Sequence, residues 1–311
     1  MKFTKVITHC TACRGVNFSN NIYTSHARYL SEPGLSYSEC LACKTVFLNP
    51  MPTKEQLSSF YVSKQTEDAV DDTVKSSAMR VLEKNRKQYF QENRVNPLLK
   101  YLSPEATVFD VGCGVGAFVY ALKEAGISNI QGCDLSKVSI KAGREVLGLE
   151  EEIFQGDIHS IPDKKFELIT LWTVIEHLLD PEEFLIYIKE NRLKKNGYVL
   201  VEFPTTDSLM FEYLGEYFKW IMPPYHLNVF SKQGMEKMLG RCGYQVVETH
   251  SMPLNWYFFE SVSKKIGLSD GQIDSLQQIA PGLSFEIDKI FDEISLQQKK
   301  SSSIWMLATC I

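Results

Sequence analysis

Thr107-Val-Phe-Asp110-Val-Gly112-Cys-Gly114-Val-Gly116-Ala117 is the stretch whose reading decides the fold. Val108, Phe109 and Val111 form an apolar run that enters a glycine-rich turn, and Ala117-Phe-Val-Tyr-Ala-Leu122 follows with helix-forming residues. A buried strand, a tight turn and a helix start are expected in that order. Glycine lets the backbone approach a ligand closely, and the first helical turn offers N–H groups without intrahelical partners. The turn therefore suits a nucleotide-like cofactor.

The glycines alone do not choose the cofactor, because Gly112-x-Gly114-x-x-Ala117 also satisfies a dinucleotide fingerprint. Asp110 bears on the choice. A carboxylate two residues before the first glycine would repel a pyrophosphate, but it suits the ammonium of an amino-acid moiety. At this point VFDVGCGVG resembles the first motif of class I S-adenosylmethionine (SAM)-dependent methyltransferases. The resemblance implies that Asp110, Gly112, Gly114 and Gly116 surround the methionine end of the cofactor.

Working outward, Asn129-Ile-Gln-Gly-Cys-Asp134 is a second short strand ending in a carboxylate, 20 residues beyond Gly114. An acidic residue there can accept both ribose hydroxyls. Ser136 caps a helix to about Leu147, and Phe154-Gln-Gly-Asp157-Ile158 closes a third unit. Phe166 to Trp172 (FELITLW) reads as a fourth strand, and it leads into Thr173-Val-Ile-Glu-His177-Leu-Leu-Asp-Pro181. VIEHLLDP is similar to the same methyltransferases and is not expected of dinucleotide dehydrogenases. The resemblance implies that Leu135, Ile158 and Trp172 line the cofactor, that Asp157 meets the adenine amino group, and that Glu176 and His177 lie near the methyl. Gly197 to Pro204 is a fifth strand, Tyr244 to Thr249 a sixth, and Ser303 to Cys310 the last, antiparallel one. The expected fold is α/β, a Rossmann-like doubly wound seven-stranded sheet with an antiparallel last strand, plus a small N-terminal zinc ribbon.

The ribbon is read from Cys10-Thr-Ala-Cys13 and Cys40-Leu-Ala-Cys43, two CxxC pairs separated by 26 residues. Two such knuckles complete a closed tetrahedral Zn²⁺ site, structural rather than hydrolytic. His9 and His26 are nearby substitutes for a ligand. Thr53 and Gln56 spell a capping box for the next helix. A ribbon running into Leu48-Asn-Pro-Met-Pro52 resembles the N-terminal module of bacterial sugar-nucleotide methyltransferases, including deoxysugar C-methyltransferases. That likeness implies a sugar or sugar-nucleotide acceptor, with the Tyr61 region over it. The polar stretch 63–77 reads as a linker or lid, followed by helical segments interrupted before Pro97. The expected organisation is a zinc ribbon at 1–52, a linker and helical lid at 53–100, and a methyltransferase domain at 101–311 with a helical insertion at about 253–301.

Residues 208–225 are rich in aromatics, and Pro223-Pro-Tyr225-His226-Leu-Asn-Val-Phe-Ser231 resembles a family segment in which the histidine is a general base. His226 is the first candidate base and His177 the second, with Tyr225 beside them as a further catalytic candidate. The sugar C-methyltransferases carry glutamate where this chain has Tyr225, so N- and O-methylation stay open beside C-methylation.

With 44% apolar residues the chain of 311 can bury a substantial core, and a net charge of −5 provides no basic field for nucleic acid. Reduced CxxC pairs and the lack of an export signal or a run of transmembrane length place the expected enzyme in the cytoplasm. A small-molecule acceptor is the expected partner, and the insertion is a candidate oligomer surface. Two alternatives are an rRNA methyltransferase docking through the ribbon and an NAD-dependent oxidoreductase.

Overall fold

A computed structural model describes residues 3–24, 35–64, 67–253 and 257–311, without the side chains of residues 21, 22, 24 and 61–72. The strands, in chain order, are β1 (Phe18–Thr24), β2 (Ser36–Cys40), β3 (Val46–Leu48), β4 (Val108–Val111), β5 (Ile130–Asp134), β6 (Ile153–Gln155), β7 (Phe166–Trp172), β8 (Leu193–Pro204), β9 (Asn228–Val229), β10 (Tyr244–Met252) and β11 (Ser303–Cys310).

Seven strands form one sheet in the order β10-β11-β8-β7-β4-β5-β6. β4 pairs in parallel with β5 and β7, and β11 runs antiparallel between β8 and β10. The mostly apolar β4 and β7 and the second half of β8 are buried on both faces. Alternate residues feed two cores: Val108, Leu168, Leu200 and Trp305 enter one, while Phe109, Ile169, Val201 and Met306 enter the other. The chain winds from β4 to β6 in one direction and from β7 outward in the other. A crevice therefore opens beyond the carboxyl ends of β4 and β7, where the direction reverses.

Helix starts follow local chemistry. Ser136 accepts from the Ser139 N–H, Ser231 from the Gly234 N–H, and Thr53 and Gln56 satisfy each other's backbone N–H groups. Two expectations change. Residues 67–81 form a helix (Glu67–Val81) rather than a linker. The helix Lys84–Phe90 is not interrupted before Pro97; it continues through a wider turn, Gln91–Val95, into Asn96–Leu99, where Pro97 occupies a first-turn position that needs no N–H partner. Between β10 and β11 the described residues form the helices Phe258–Lys265, Asp270–Ile279 and Leu283–Gln297, with Ile279, Phe285 and Ile290 exposed.

The cysteine-bearing segment builds a second sheet, β1-β2-β3-β9, whose last strand comes from residues 228–229. Tyr37, Phe47 and Leu48 share one core with Phe203, Leu227 and Phe230. The packing thus crosses the boundary expected at residue 52.

Candidate active site

A cleft of about 370 Å³ lies at the switch point, lined by Val111, Gly112, Cys133, Asp134, Leu135, Gly156, Asp157, Ile158, Thr173, Val174, His177, Leu178, Phe184 and Tyr225. That size and mostly apolar lining suit a small organic ligand. Gly112 has φ +68, and a Cβ there would stand 2.5 Å from Cγ2 of Val174, so the turn after β4 requires glycine. Asp134, at the end of β5, accepts from the Gly114 N–H (2.9 Å) through one oxygen and from the Ser136 N–H (2.8 Å) through the other. Both bonds fix its carboxylate at the cleft wall and leave each oxygen further lone pairs. Asp157 uses only Oδ1 locally, on the N–H groups of His159 and Ser160, so its Oδ2 has no partner within that turn.

Of the expected cofactor residues, Gly112, Asp134, Leu135, Asp157 and Ile158 line this cleft. The others support it. Asp110 is 2% exposed and accepts from the Thr170 hydroxyl at 2.7 Å, and burial pushes its carboxyl up to about 7. Gly114 serves through its N–H to Asp134, and Gly116, with φ +81, starts the helix Ala117–Glu124 against Leu149. Trp172 is buried beneath the Arg94 guanidinium, 4.4 Å from the ring centroid, and Arg94 in turn pairs with buried Glu202 at 3.0 Å.

At the inner end of the cleft a short helical turn, Ile175–His177, brings Glu176 and His177 against the loop that carries Tyr225 and His226. The His177 and His226 rings meet edge to face at 4.8 Å, and Trp220 stacks on His226. His177 donates from Nδ1 to the Tyr225 carbonyl at 2.6 Å, and His226 from Nδ1 to the Trp220 carbonyl at 3.1 Å. A carbonyl only accepts, so both rings keep Nε2 as the lone-pair nitrogen. His177 lines the cleft, whereas His226 is 4% exposed and stands behind it. Glu176 is fully buried, and neither of its carboxylate oxygens has a hydrogen-bond partner. Burial drives the Glu176 carboxyl well above its ordinary range and both imidazoles below theirs, His226 the further.

The four predicted cysteines converge. Cys10 and Cys43 sulfurs are 3.7 Å apart, Cys13 and Cys40 sulfurs 3.5 Å, and all four lie within 4.8 Å of one another. Sulfurs bonded at ~2.3 Å to one tetrahedral cation stand roughly 3.8 Å apart, so the set fits zinc. The two knuckles match: Arg14 and Lys44 both take positive φ, and each donates its N–H to the carbonyl of the first cysteine of its pair. The Cys10 thiol hydrogen bond holds Cys43 down at about 4, while that bond and burial push Cys10 up. A cation is what allows all four to ionise together. His9 is outside this group, and His26 lies outside the described residues.

Among the aromatics of 208–225, Tyr225 alone lines the cleft, edge-on to Phe60 at 4.8 Å. Phe211 packs instead on Tyr23 and Phe218. The side chain of Tyr61 lies outside the described ones. Sequence reasoning missed Thr173 (φ +53), Val174 and Phe184 as cleft walls, since a lone threonine, a valine and a helical phenylalanine carry no chemical signature.

A family model described as a methyltransferase domain matches residues 82–249. The ribosomal protein L11 methyltransferase of Clostridium botulinum is 33% identical over 86 residues, 26% of this chain and 28% of that protein. The indolepyruvate C-methyltransferase of Streptomyces griseus is 25% identical over 173 residues, half of this chain and 51% of that one. The chain thus spans about half or less of the length of these curated relatives. Among solved structures, a chain of the Haloferax volcanii complex between the Trm112 methyltransferase activator and a methyltransferase superposes with TM-score 0.52 at 16% identity, over 76% of this chain and 97% of that one. That likeness is one of fold.

Proposed function

Since the chain belongs to this methyltransferase-domain family, we propose that it moves the methyl group of SAM to a small-molecule acceptor, a sugar or sugar nucleotide. The observation that carries the reading is the layout of one cleft, lined by Asp134, Asp157 and His177, with Glu176 and His226 grouped behind His177. Asp134 takes the ribose hydroxyls and Asp157 the adenine amino group through Oδ2, with Ile158 and Leu135 beside the ring. Asp110 supports the methionine ammonium from below. The sulfonium supplies an electrophilic methyl, and alignment of acceptor and methyl provides much of the rate. His177 and His226 serve the acceptor's proton, His177 from the cleft wall and His226 from behind it.

The acceptor class rests on the similarity of the ribbon and Leu48–Pro52 to sugar-nucleotide methyltransferases. The ribbon holds one structural Zn²⁺. An RNA-docking ribbon is disfavoured because Arg14 and Lys44 are committed to Glu182 and Glu39, at 3.0 and 3.2 Å. The reduced thiols suit a cytoplasmic enzyme, and the exposed apolar residues of the insertion suit a self-association surface.

Calorimetry with SAM, S-adenosylhomocysteine (SAH) and NAD tests the cofactor, and mass spectrometry of nucleotide-sugar mixtures incubated with SAM tests the acceptor. Binding of SAH without NAD, and a gain of one methyl on a sugar nucleotide, are expected. NAD binding without SAM or SAH would overturn the cofactor assignment, and methylation confined to RNA or protein would overturn the acceptor.

A further inference from the structure

We propose that Glu176, His177 and His226 bind a divalent transition-metal cation at the inner end of the cleft, leaving an open position for an oxygen of the acceptor. Their ligand atoms lie within 4.8 Å of one another, with His177 Nε2 3.9 Å from Glu176 Oε1. Ligands held at ~2.0–2.2 Å by one cation stand roughly 3–4 Å apart, so the cluster needs only a small contraction.

Three further features are those of a metal site. Both histidines donate Nδ1–H to backbone carbonyls, the outer bond that fixes the tautomer and leaves Nε2 as the nitrogen able to ligate. Glu176 buries a carboxyl group with neither oxygen satisfied, an arrangement that costs free energy unless a partner is supplied. The Glu176 carbonyl accepts from the Leu227 N–H at 2.9 Å, so the two ligand-bearing segments are tied together before any cation arrives. His177, whose side chain is 31% exposed, provides the way in from the cleft.

Two imidazoles and one carboxylate suit Zn²⁺, Co²⁺ or Fe²⁺ better than Mg²⁺, and three protein ligands leave room for an external oxygen. The assignment of the open position rests on the methyl-transfer reading, whereas cation binding itself does not. In the cation-free protein the two imidazoles keep their proton-accepting role; with the cation bound both Nε2 atoms are taken, and an acceptor hydroxyl at the open position is polarised by the cation and gives its proton to solvent. Its oxygen then bonds the methyl carbon as the carbon–sulfur bond breaks, with the electron pair returning to sulfur.

The test is cobalt and zinc loading of the full chain, followed by metal analysis and visible spectroscopy. Wild type should take up a second cation beyond the cysteine-bound one. In cobalt protein the four-thiolate site shows intense charge transfer, while the nitrogen–oxygen site adds only weak d–d bands. Glu176→Gln, close in shape, should lose the second cation and its bands and keep the thiolate signal. His177→Ala should do the same. SAH calorimetry on each preparation reports folding and cofactor binding separately. Wild type that takes up only the cysteine-bound cation, or a Glu176→Gln protein that retains both, would overturn the site. Absence of SAH binding in well-folded wild type would instead sink the methyl-transfer reading.

Discussion

The hydroxyl of Tyr37, in β2 beside the cysteine knuckles, donates to the carbonyl oxygen of His226 at 2.5 Å. A second path runs parallel: the Leu48 N–H of β3 donates to the Leu227 carbonyl at 2.8 Å, and the Leu227 N–H donates to the carbonyl of Glu176. The cysteine-bearing sheet is therefore built into the loop that carries His226. Tyr37→Phe leaves the His226 carbonyl buried and unpaired, which should cost about 1–3 kcal/mol in denaturant unfolding. Turnover should fall while SAH affinity stays unchanged, because the cleft wall at Asp134 and Asp157 is on other strands. Unchanged turnover in a destabilised Tyr37→Phe enzyme would show that the bond is structural only.

The same coupling sets the expectation for the cysteines. Metal analysis of protein purified without chelator should find zinc that a Cys40→Ser/Cys43→Ser variant lacks. Removing it should also loosen β9, since Val46 and Phe47 of β3 pair with Val229 and Asn228. Hydrogen exchange at residues 226–230 should accelerate in the variant, with the strands β4 to β7 less affected. Retention of the zinc in that variant would refute the ligand assignment. Cys113, Cys133 and Cys242 are buried away from this group and should not change the count.

What the sequence made legible was local. The strand–turn–helix at 108–122, the caps at Ser136 and Ser231 and the last strand at 303–310 are written in neighbouring residues, and each appears where expected. The helix 67–81 was not, because a cluster of carboxylates reads as a solvated linker, although acidic residues also suit a helix N-terminus. β9 was invisible for another reason. A two-residue strand has no periodicity, and its partner lies some 180 residues away. The site divides the same way. Asp134 and Asp157 announce themselves at strand ends, whereas the unsatisfied carboxylate of Glu176 exists only once tertiary packing has buried it.

Cofactor affinity should depend on pH through Asp110, whose carboxyl burial raises to about 7 in the free protein. A methionine ammonium favours the carboxylate, so below about 7 binding must expel a proton. SAH affinity should then weaken by roughly tenfold per pH unit as pH falls below 7, and level off above it. Stability of the free protein runs the other way. With the folded value above the unfolded one, the Asp110 contribution is fully present below about 4 and is lost as pH rises through about 7. Calorimetry from pH 5 to 8 on wild type and Asp110→Asn checks this: the variant should bind more weakly at pH 8 and lose the slope. An identical slope in the variant would assign the proton elsewhere.

The last expectation concerns the two histidines, which stand in different places with their rings in contact. His177 lines the cleft, His226 is buried behind it, and their rings touch. Each alanine variant should lower turnover by about 10²–10⁴-fold, the span seen when a group that serves proton transfer is removed. SAH affinity should hold in both. The double variant is the informative one. If the two imidazoles act as one unit, removing the second after the first should cost little more, and the losses will be far from multiplicative. If they act independently, the fold-changes should multiply. A His226→Ala enzyme that keeps its turnover and only raises the acceptor KM would reduce His226 to shaping the wall that His177 presents.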